Sequence, residues 1–327
     1  MRVALICPAP PGSRLGNRIT ALRWARILRE LGHAPFIETE LSGRGYDVLV
    51  ALHARRSAAA VQRSRETHPQ RPIVVALTGT DLYRDIHDDA SAQRSLRLAD
   101  RLIVLHPAGA DELPAALRGK VRVVLQSAPR PARIAKRSSR AFEVAVVGHL
   151  RPEKDPLRTA LAARSLPPAS RIVVLHAGSA LSEEMRRAAE AEQRDNPRYR
   201  WLGELPGWRA RALIGRCRLL ALTSEMEGGA NVLSEALAAG TPILASRIAC
   251  TEAILGRDYP GLFPFGSAPD LARLLERAEG DAAFLGELTR RCHARRGMVS
   301  PAKEKGAWRS LLGELGVRGR GRGEGGE

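Results

Sequence analysis

"SEMEGGANVLSEALAAGTPIL", residues 224–244, holds two carboxylates eight positions apart, Glu227 and Glu235, with a glycine pair between them. The aliphatic run Leu219–Leu222 precedes the segment, and a second run, Ile243–Ala245, closes it. Asn231–Ala239 contains no proline or glycine and stops at Gly240, so the stretch reads as strand, glycine-bearing turn, short helix and strand. A strand–helix–strand unit of this kind belongs to a mostly parallel sheet.

The same alternation runs along the chain. Strands are expected at Val3–Ile6, Val48–Leu52, Ile73–Leu77, Leu102–Leu105 and Val121–Leu125. Between the first two, "GNRITALRWARILRELGH" (16–33) sets Ile19, Leu22, Ala25, Leu28 and Leu31 at three-residue intervals, the expected apolar face of a helix ended by Gly32. "PRPARIAKRSSR" (129–140) is proline-bearing, basic and poor in large apolar residues, which marks a domain boundary. Strands resume at Val144–Val147, Ile172–Leu175, Leu219–Leu222 and Ile243–Ala245. The expected fold is α/β: two Rossmann-like, doubly wound domains over 1–135 and 141–300. A helix over 301–317 is expected to pack back on the first domain through Trp308, Leu311, Leu312 and Leu315, and a disordered tail over 318–327 follows.

Composition narrows the function. A length of 327 residues suits two cores rather than one. The longest apolar runs reach only about six residues, far below the roughly 20 of a membrane-spanning helix. "MRVALICPAPPGSRLGNR" reads as a first strand and its loop rather than a signal peptide, so a cytoplasmic protein without stable membrane insertion is expected. Cys7, Cys217, Cys250 and Cys292 are scattered, with no metal-ligand spacing, so neither disulfides nor a metal or other cofactor is indicated. The net charge of +17 rests on arginine, since only 5 of the 52 basic residues are lysine. That charge is spread evenly, with net +9 in residues 1–135, and only 4% of residues are aromatic. A nucleic-acid partner, which would want a concentrated basic face and base-stacking rings, is therefore not expected.

In open parallel sheets ligands sit at the carboxyl ends of strands. At the end of Leu219–Leu222 the N–H groups of Gly228, Gly229, Ala230 and Asn231 would converge at a helix N-terminus, which favours an anion. Glu235 could accept both hydroxyls of a ribose, and Glu227, ahead of the helix, those of a sugar beyond a diphosphate. From spacing alone, a helix-dipole partner and a solvated helix face account for the two glutamates equally well.

The segment resembles the E-x7-E motif of retaining nucleotide-sugar glycosyltransferases of the two-domain GT-B fold, matching at Glu227, Gly228, Glu235, Ala236, Ala238, Gly240 and Pro242. "VVGHLRPEKDP" (146–156) is similar to that family's phosphate-binding stretch: the resemblance assigns Lys154 to the donor diphosphate, with His149 where arginine is common and Arg151 as the substitute second cation. It implies domains facing a cleft, donor binding by His149, Lys154, Glu227, Gly228, Gly229, Ala230, Asn231 and Glu235, and chemistry carried by Lys154, Arg151 and Glu227. No D-x-D triplet occurs, which fits diphosphate neutralisation by basic groups and a helix end rather than by a metal.

In the first domain "VVALTGTDLYRD" (74–85) follows the third expected strand, where relatives have an H-G-T-D-like segment; Thr78 replaces the histidine, while Gly79, Thr80 and Asp81 remain. His53, Arg55 and Arg56 follow the second expected strand, and Asn17 and Arg18 the first. Guanidinium forks bind phosphate-like groups in bidentate fashion, so Asn17, Arg18, His53, Arg55, Arg56, Thr78, Gly79 and Thr80 are the candidate acceptor residues, although each arginine singly also fits a packing role. Together with "LADRLIVL" and "VLQSA", these stretches resemble the selenosugar synthases of selenoneine biosynthesis over nearly all of residues 1–245. The resemblance implies transfer from a UDP-sugar such as UDP-N-acetylglucosamine to selenophosphate, both small-molecule partners. An ordinary hydroxyl acceptor, small or lipid-linked, is the alternative.

Overall fold

The computed structural model describes residues 1–131 and 136–316. The chain forms two compact units, Met1–Gln126 joined by the segment from Pro301, and Ser127–Ser300. In the first, β1 (Arg2–Ile6), β2 (Ala34–Glu38), β3 (Val48–Leu52), β4 (Ile73–Leu77), β5 (Arg101–Val104) and β6 (Val121–Val123) pair in the order β2-β1-β3-β4-β5-β6, all parallel. Successive side chains of a strand point to opposite faces, and both faces carry a core. One contains Ala4, Leu49, Val75 and Leu102 under the helices Ala58–Thr67 and Ala90–Leu98. The other contains Leu5, Val50 and Val74 under Gly16–Glu30 and Pro301–Glu314. Coverage on both sides explains why every residue of β3 and β4 is buried.

The second unit repeats the plan. β7 (Phe142–Val147), β8 (Ile172–Ala177), β9 (Tyr199–Trp201), β10 (Leu219–Leu222), β11 (Ile243–Ser246) and β12 (Leu262–Phe263) pair in the order β12-β11-β10-β7-β8-β9, again all parallel. The four cysteines are buried free thiols. Among the described residues no helix is long and apolar enough to cross a membrane.

The structure corrects the sequence reading in four places. β2, β9 and β12, absent from the expected set, are all edge strands; β2 and β9 are partly exposed and tolerate residues such as Pro35 and Arg200, while β12 pairs over only two residues, both buried. β6, also an edge, stops at Val123 rather than Leu125. In the helix Gly16–Glu30 the buried stripe is Thr20, Ala21, Trp24, Ala25, Ile27 and Leu28, whereas Ile19 and Leu22 are 42% and 52% exposed. A fixed spacing of three drifts around a helix of 3.6 residues per turn, so one continuous face needs steps of three and four. Lastly, the units divide after Gln126, not after residue 135: the Gln126 amide donates to Thr20 Oγ1 (2.8 Å), while the Ala128 N–H donates to Val299 O (3.1 Å) in the second unit. Residues 132–135 of the expected connection, and the tail expected over 318–327, lie outside the described residues.

The helix Pro301–Glu314 belongs to the first unit through buried chemistry. Trp308 is fully buried edge-on to Trp24, with ring centroids 4.9 Å apart. The Trp24 indole donates to Glu304 Oε1 (2.8 Å), and Arg23 pairs with the same buried carboxylate at 3.1 Å. Removing Trp308 opens a cavity and uncouples the helix. Trp308→Ala is expected to cost about 3–5 kcal/mol, read as a lowered urea midpoint of the first unit's unfolding; an unchanged midpoint would show that this helix is not part of that core.

Candidate functional site

Strand order brings the candidate donor residues to one edge of the second sheet, since β7 and β10 are adjacent and parallel and their carboxyl ends lie side by side. After β10 the chain runs through Thr223–Ala230 into the helix Asn231–Ala239, closed by Gly240 at φ 74°, as its sequence requires. Ala230 caps the helix in a left-handed conformation, φ 39°. At the helix N-terminus the N–H groups of Leu233 and Ser234 donate to Ala230 O.

The loop after β7 is stitched to this turn. Thr223 Oγ1 donates to the carbonyls of Lys154 (3.0 Å) and Asp155 (2.9 Å), and the Glu225 N–H donates to Glu153 O (2.9 Å). Lys154 Nζ thereby meets Glu227 Oε1 in a direct ion pair, and the buried Ser224 hydroxyl donates to that same oxygen at 2.6 Å. Glu227 is only 7% exposed, so its charge is met by neighbours rather than by water. Lys154, Glu227, Gly228, Gly229, Ala230 and Asn231 therefore come together, whereas Glu235 lies on the helix with Arg211 Nη1 at 3.7 Å from its Oε1.

Neither residue read as a second cation is placed as a simple replacement. His149 Nδ1 accepts from the Ser179 N–H (3.3 Å) and lies 2.7 Å from the Ser179 hydroxyl, which puts the ring proton on Nε2 and makes the side chain a brace between two loops. Arg151 is partly exposed, with Nε 4.0 Å from Glu153 Oε2. Under this loop the backbones run so close that a side-chain carbon on Gly178 would fall 1.9 Å from Gly148 O. There His176, fully buried, has Nε2 3.2 Å from Gly148 O and Nδ1 2.9 Å from the Tyr199 hydroxyl.

In the first unit one group of the candidate acceptor residues gathers at the carboxyl ends of β3 and β4. His53, buried and left-handed at φ 76°, has Nε2 3.4 Å from Thr80 Oγ1 and 3.7 Å from Asp85 Oδ2. Burial lowers its pKa below the ordinary histidine value, against the opposing pull of Asp81. Asp81, wholly buried, accepts from the N–H groups of Ala54 (2.9 Å), Thr78 (3.1 Å) and Gly79 (2.8 Å). Thr78 Oγ1 is buried without a partner. Arg55 is paired with Asp85 at 3.0 Å, while Arg56 is exposed. Asp85, in the turn after β4, therefore neutralises part of the charge that Arg55 and Arg56 bring to this edge. Arg18 lines a recess of about 540 Å³ with Pro11, Glu38, Glu40, Ser42 and Arg63, none of them in the His53–Thr80 group. Arg18 Nε is buried there without a partner, and Asn17 is its neighbour in the first turn of the same helix.

The sequence reading missed several participants. Asp81 and Ser224 stood inside the quoted motifs, but their buried hydrogen bonds leave no mark in the spacing. Tyr83 and Asp85 likewise stood inside a quoted stretch without being singled out, whereas Arg211 and His106 had no motif at all. Tyr83 OH is 2.8 Å from Nε2 of His106, a fully buried ring at the end of β5. One pattern is available only from coordinates: among the described residues, the non-glycine positions with positive φ are His53, Asp155 and Ala230, each at one of these two sites.

The family model described as glycosyl transferases group 1 matches residues 132–295. The chain belongs to the group 1 glycosyltransferases. Its two Rossmann-like units are those of the GT-B fold, and solved structures agree. The Anabaena protein HepE, solved with UDP and glucose, is 16% identical with a TM-score of 0.74, over 96% of this chain and 100% of that one. Sucrose-phosphate synthase of Thermosynechococcus elongatus is 15% identical with a TM-score of 0.78, over 96% and 98%. The lipopolysaccharide outer core galactosyltransferase WaaB is 15% identical with a TM-score of 0.66, over 96% and 99%. No curated protein matches the chain in sequence.

Burial holds the pKa of both His106 and His176 down to about 4. Each is neutral in the folded glycosyltransferase, while its unfolded counterpart gains a proton as pH falls through about 6.5. Their stabilisation is therefore complete above that value and is lost toward pH 4, at about 1.4 kcal/mol per pH unit per histidine. Urea unfolding of wild type and His106→Gln should show the variant less stable at pH 7.5 and the gap narrowing below pH 6.5; a gap independent of pH would contradict the buried neutral ring.

Proposed function

We propose that this glycosyltransferase binds a UDP-sugar, UDP-N-acetylglucosamine first among them, and transfers the sugar to the selenium of selenophosphate. The C–Se bond forms as the bond from the anomeric carbon to the UDP oxygen breaks; hydrolysis of the P–Se bond then yields the selenosugar and phosphate. The observation that carries the donor half is the Lys154–Glu227 pair set against the N-terminus of the helix Asn231–Ala239. A diphosphate there meets helix N–H groups and an ammonium, interactions that strengthen as negative charge builds on the leaving UDP. Glu235 accepts from the ribose and Glu227, released from Lys154, from the transferred sugar. HepE was solved with UDP and glucose, which accords with this choice of donor.

The acceptor half rests on the resemblance to selenosugar synthases and on two unpartnered groups, Arg18 Nε and Thr78 Oγ1. Ionised selenium is already nucleophilic, so Thr78 in place of a histidine removes no base that the reaction requires. The hydroxyl-acceptor reading has one observation in its favour, the carboxylates of Glu38 and Glu40 lining the Arg18 recess, which suit a hydroxyl-bearing molecule. Incubation with UDP-N-acetylglucosamine and selenophosphate should release UDP and produce a selenium-bearing sugar by mass spectrometry. Donor left intact, or consumed only when a hydroxyl acceptor is added, would overturn the selenium assignment.

The ion pair makes two variants diverge. Lys154→Ala should raise the Kd for UDP roughly 10- to 100-fold, the loss of a charge-assisted contact. Glu227→Gln releases the ammonium, so UDP should bind at least as tightly as to wild type while sugar transfer falls by about 100-fold or more. Parallel weakening of UDP binding in both variants by calorimetry would contradict this division of roles.

A further inference from the structure

We propose that Trp208 is the platform on which the nucleobase of the donor stacks, with Arg211 steering Glu235 toward the ribose of the same nucleotide. This inference rests on the reading of the Asn231 helix as the donor site. Trp208 stands at the start of the helix Gly207–Arg216 and is 63% exposed, the most exposed of the large apolar side chains among the described residues. Its position is not a consequence of poor packing, because the same helix buries Leu213, Ile214 and Gly215. An indole carries a large apolar face, which gains free energy when a planar ligand covers it. The Arg209 guanidinium lies 5.1 Å from the Trp208 ring centroid, a cation–π contact that orders the indole.

What covers the ring is indicated by the next turn. Residues three apart on a helix are neighbours on its surface, so Arg211 follows Trp208 along one side at a rise of about 4.5 Å. Arg211 Nη1 is 3.7 Å from Glu235 Oε1, which ties this side of the helix to the carboxylate read as the ribose acceptor. Glu235 in turn is one helical turn from Asn231, where the diphosphate is placed. Along this path lie an anion site, a diol acceptor and an aromatic face, in the order phosphate, ribose and base of a nucleotide. Trp24 and Trp308 are fully buried in the first unit's core, and Trp201, half-buried at the end of β9, is held by its indole N–H on Gly178 O (2.8 Å), which leaves Trp208 as the one exposed indole among the described residues.

The test compares UDP with inorganic pyrophosphate, which lacks ribose and base, by calorimetry on the full chain. Trp208→Ala should raise the Kd for UDP about 5- to 100-fold, the range of one base–aromatic stack. Trp208→Phe should restore most of the affinity, and pyrophosphate should bind wild type and Trp208→Ala alike. UDP should also quench tryptophan fluorescence in wild type and much less in Trp208→Phe. Unchanged UDP affinity in Trp208→Ala, with Lys154→Ala or Glu235→Ala still weakening it, would overturn the platform and leave the donor site standing. Equal weakening of pyrophosphate would reduce Trp208 to a structural role and overturn it too. Wild type that binds no UDP would overturn the donor reading itself.

Discussion

A single ion pair organises the cluster of loops at the carboxyl ends of β7 and β10. Glu227 is buried at the mouth of a helix whose dipole favours negative charge, and Lys154 is brought to it from a different loop. The pair exists because Thr223 and Glu225 lace the turn after β10 to the loop after β7 through three hydrogen bonds to main-chain carbonyls. A charge buried in this way is costly to strand, so any ligand that takes Lys154 from Glu227 must offer the carboxylate a new partner. On the proposed reading a nucleotide-sugar does both at once: its diphosphate receives the ammonium, and its sugar hydroxyls donate to the carboxylate. On the proposed reading, nucleotide and sugar binding are thus coupled through one contact.

The surroundings keep that contact in place by close approach rather than by bulk. Gly178 admits the carbonyl of Gly148 where any side chain would collide, and His176 spans Gly148 and Tyr199 beneath it. Ala230 and Asp155 are held in left-handed backbone conformations at the two ends of the laced region. Such conformations cost on the order of 1–3 kcal/mol each and persist where neighbouring structure imposes them. In the first unit His53 follows the same rule, seated over Asp81, whose carboxylate is consumed by main-chain N–H groups. Charge at that edge is therefore largely internal, and Arg18 Nε and Thr78 Oγ1 stand out as polar groups with nothing to bond.

Much of this was legible in the sequence, for identifiable reasons. Central parallel strands are buried on both faces and read as unbroken aliphatic runs, so Val48–Leu52, Ile73–Leu77 and Leu219–Leu222 were recovered residue for residue. The edges β2 and β9 lack that signature because part of each faces solvent, and β12 because it pairs over only two residues. Asn231–Ala239 was recovered together with its Gly240 stop, since cap and composition agree there. The carboxylate pair was visible through its spacing, yet the partners that hold it were not: Lys154 is 73 residues from Glu227, and Arg211 is joined to Glu235 only by the packing of two helices. Net charge was the least informative signal. Spread evenly, it pointed to no site; Arg55 and Arg56 were picked out by their place after a strand, and Asp85 pairs with Arg55 there.

The central claim is that a nucleoside diphosphate docks on the N-terminus of the Asn231 helix by taking Lys154 from Glu227. A crystal structure of the glycosyltransferase with UDP bound tests it most directly. The account predicts phosphate oxygens within hydrogen-bond distance of the Asn231 and Val232 N–H groups and of Lys154 Nζ, with Glu235 on the ribose hydroxyls. UDP bound elsewhere, with Lys154 still closed on Glu227, would contradict it.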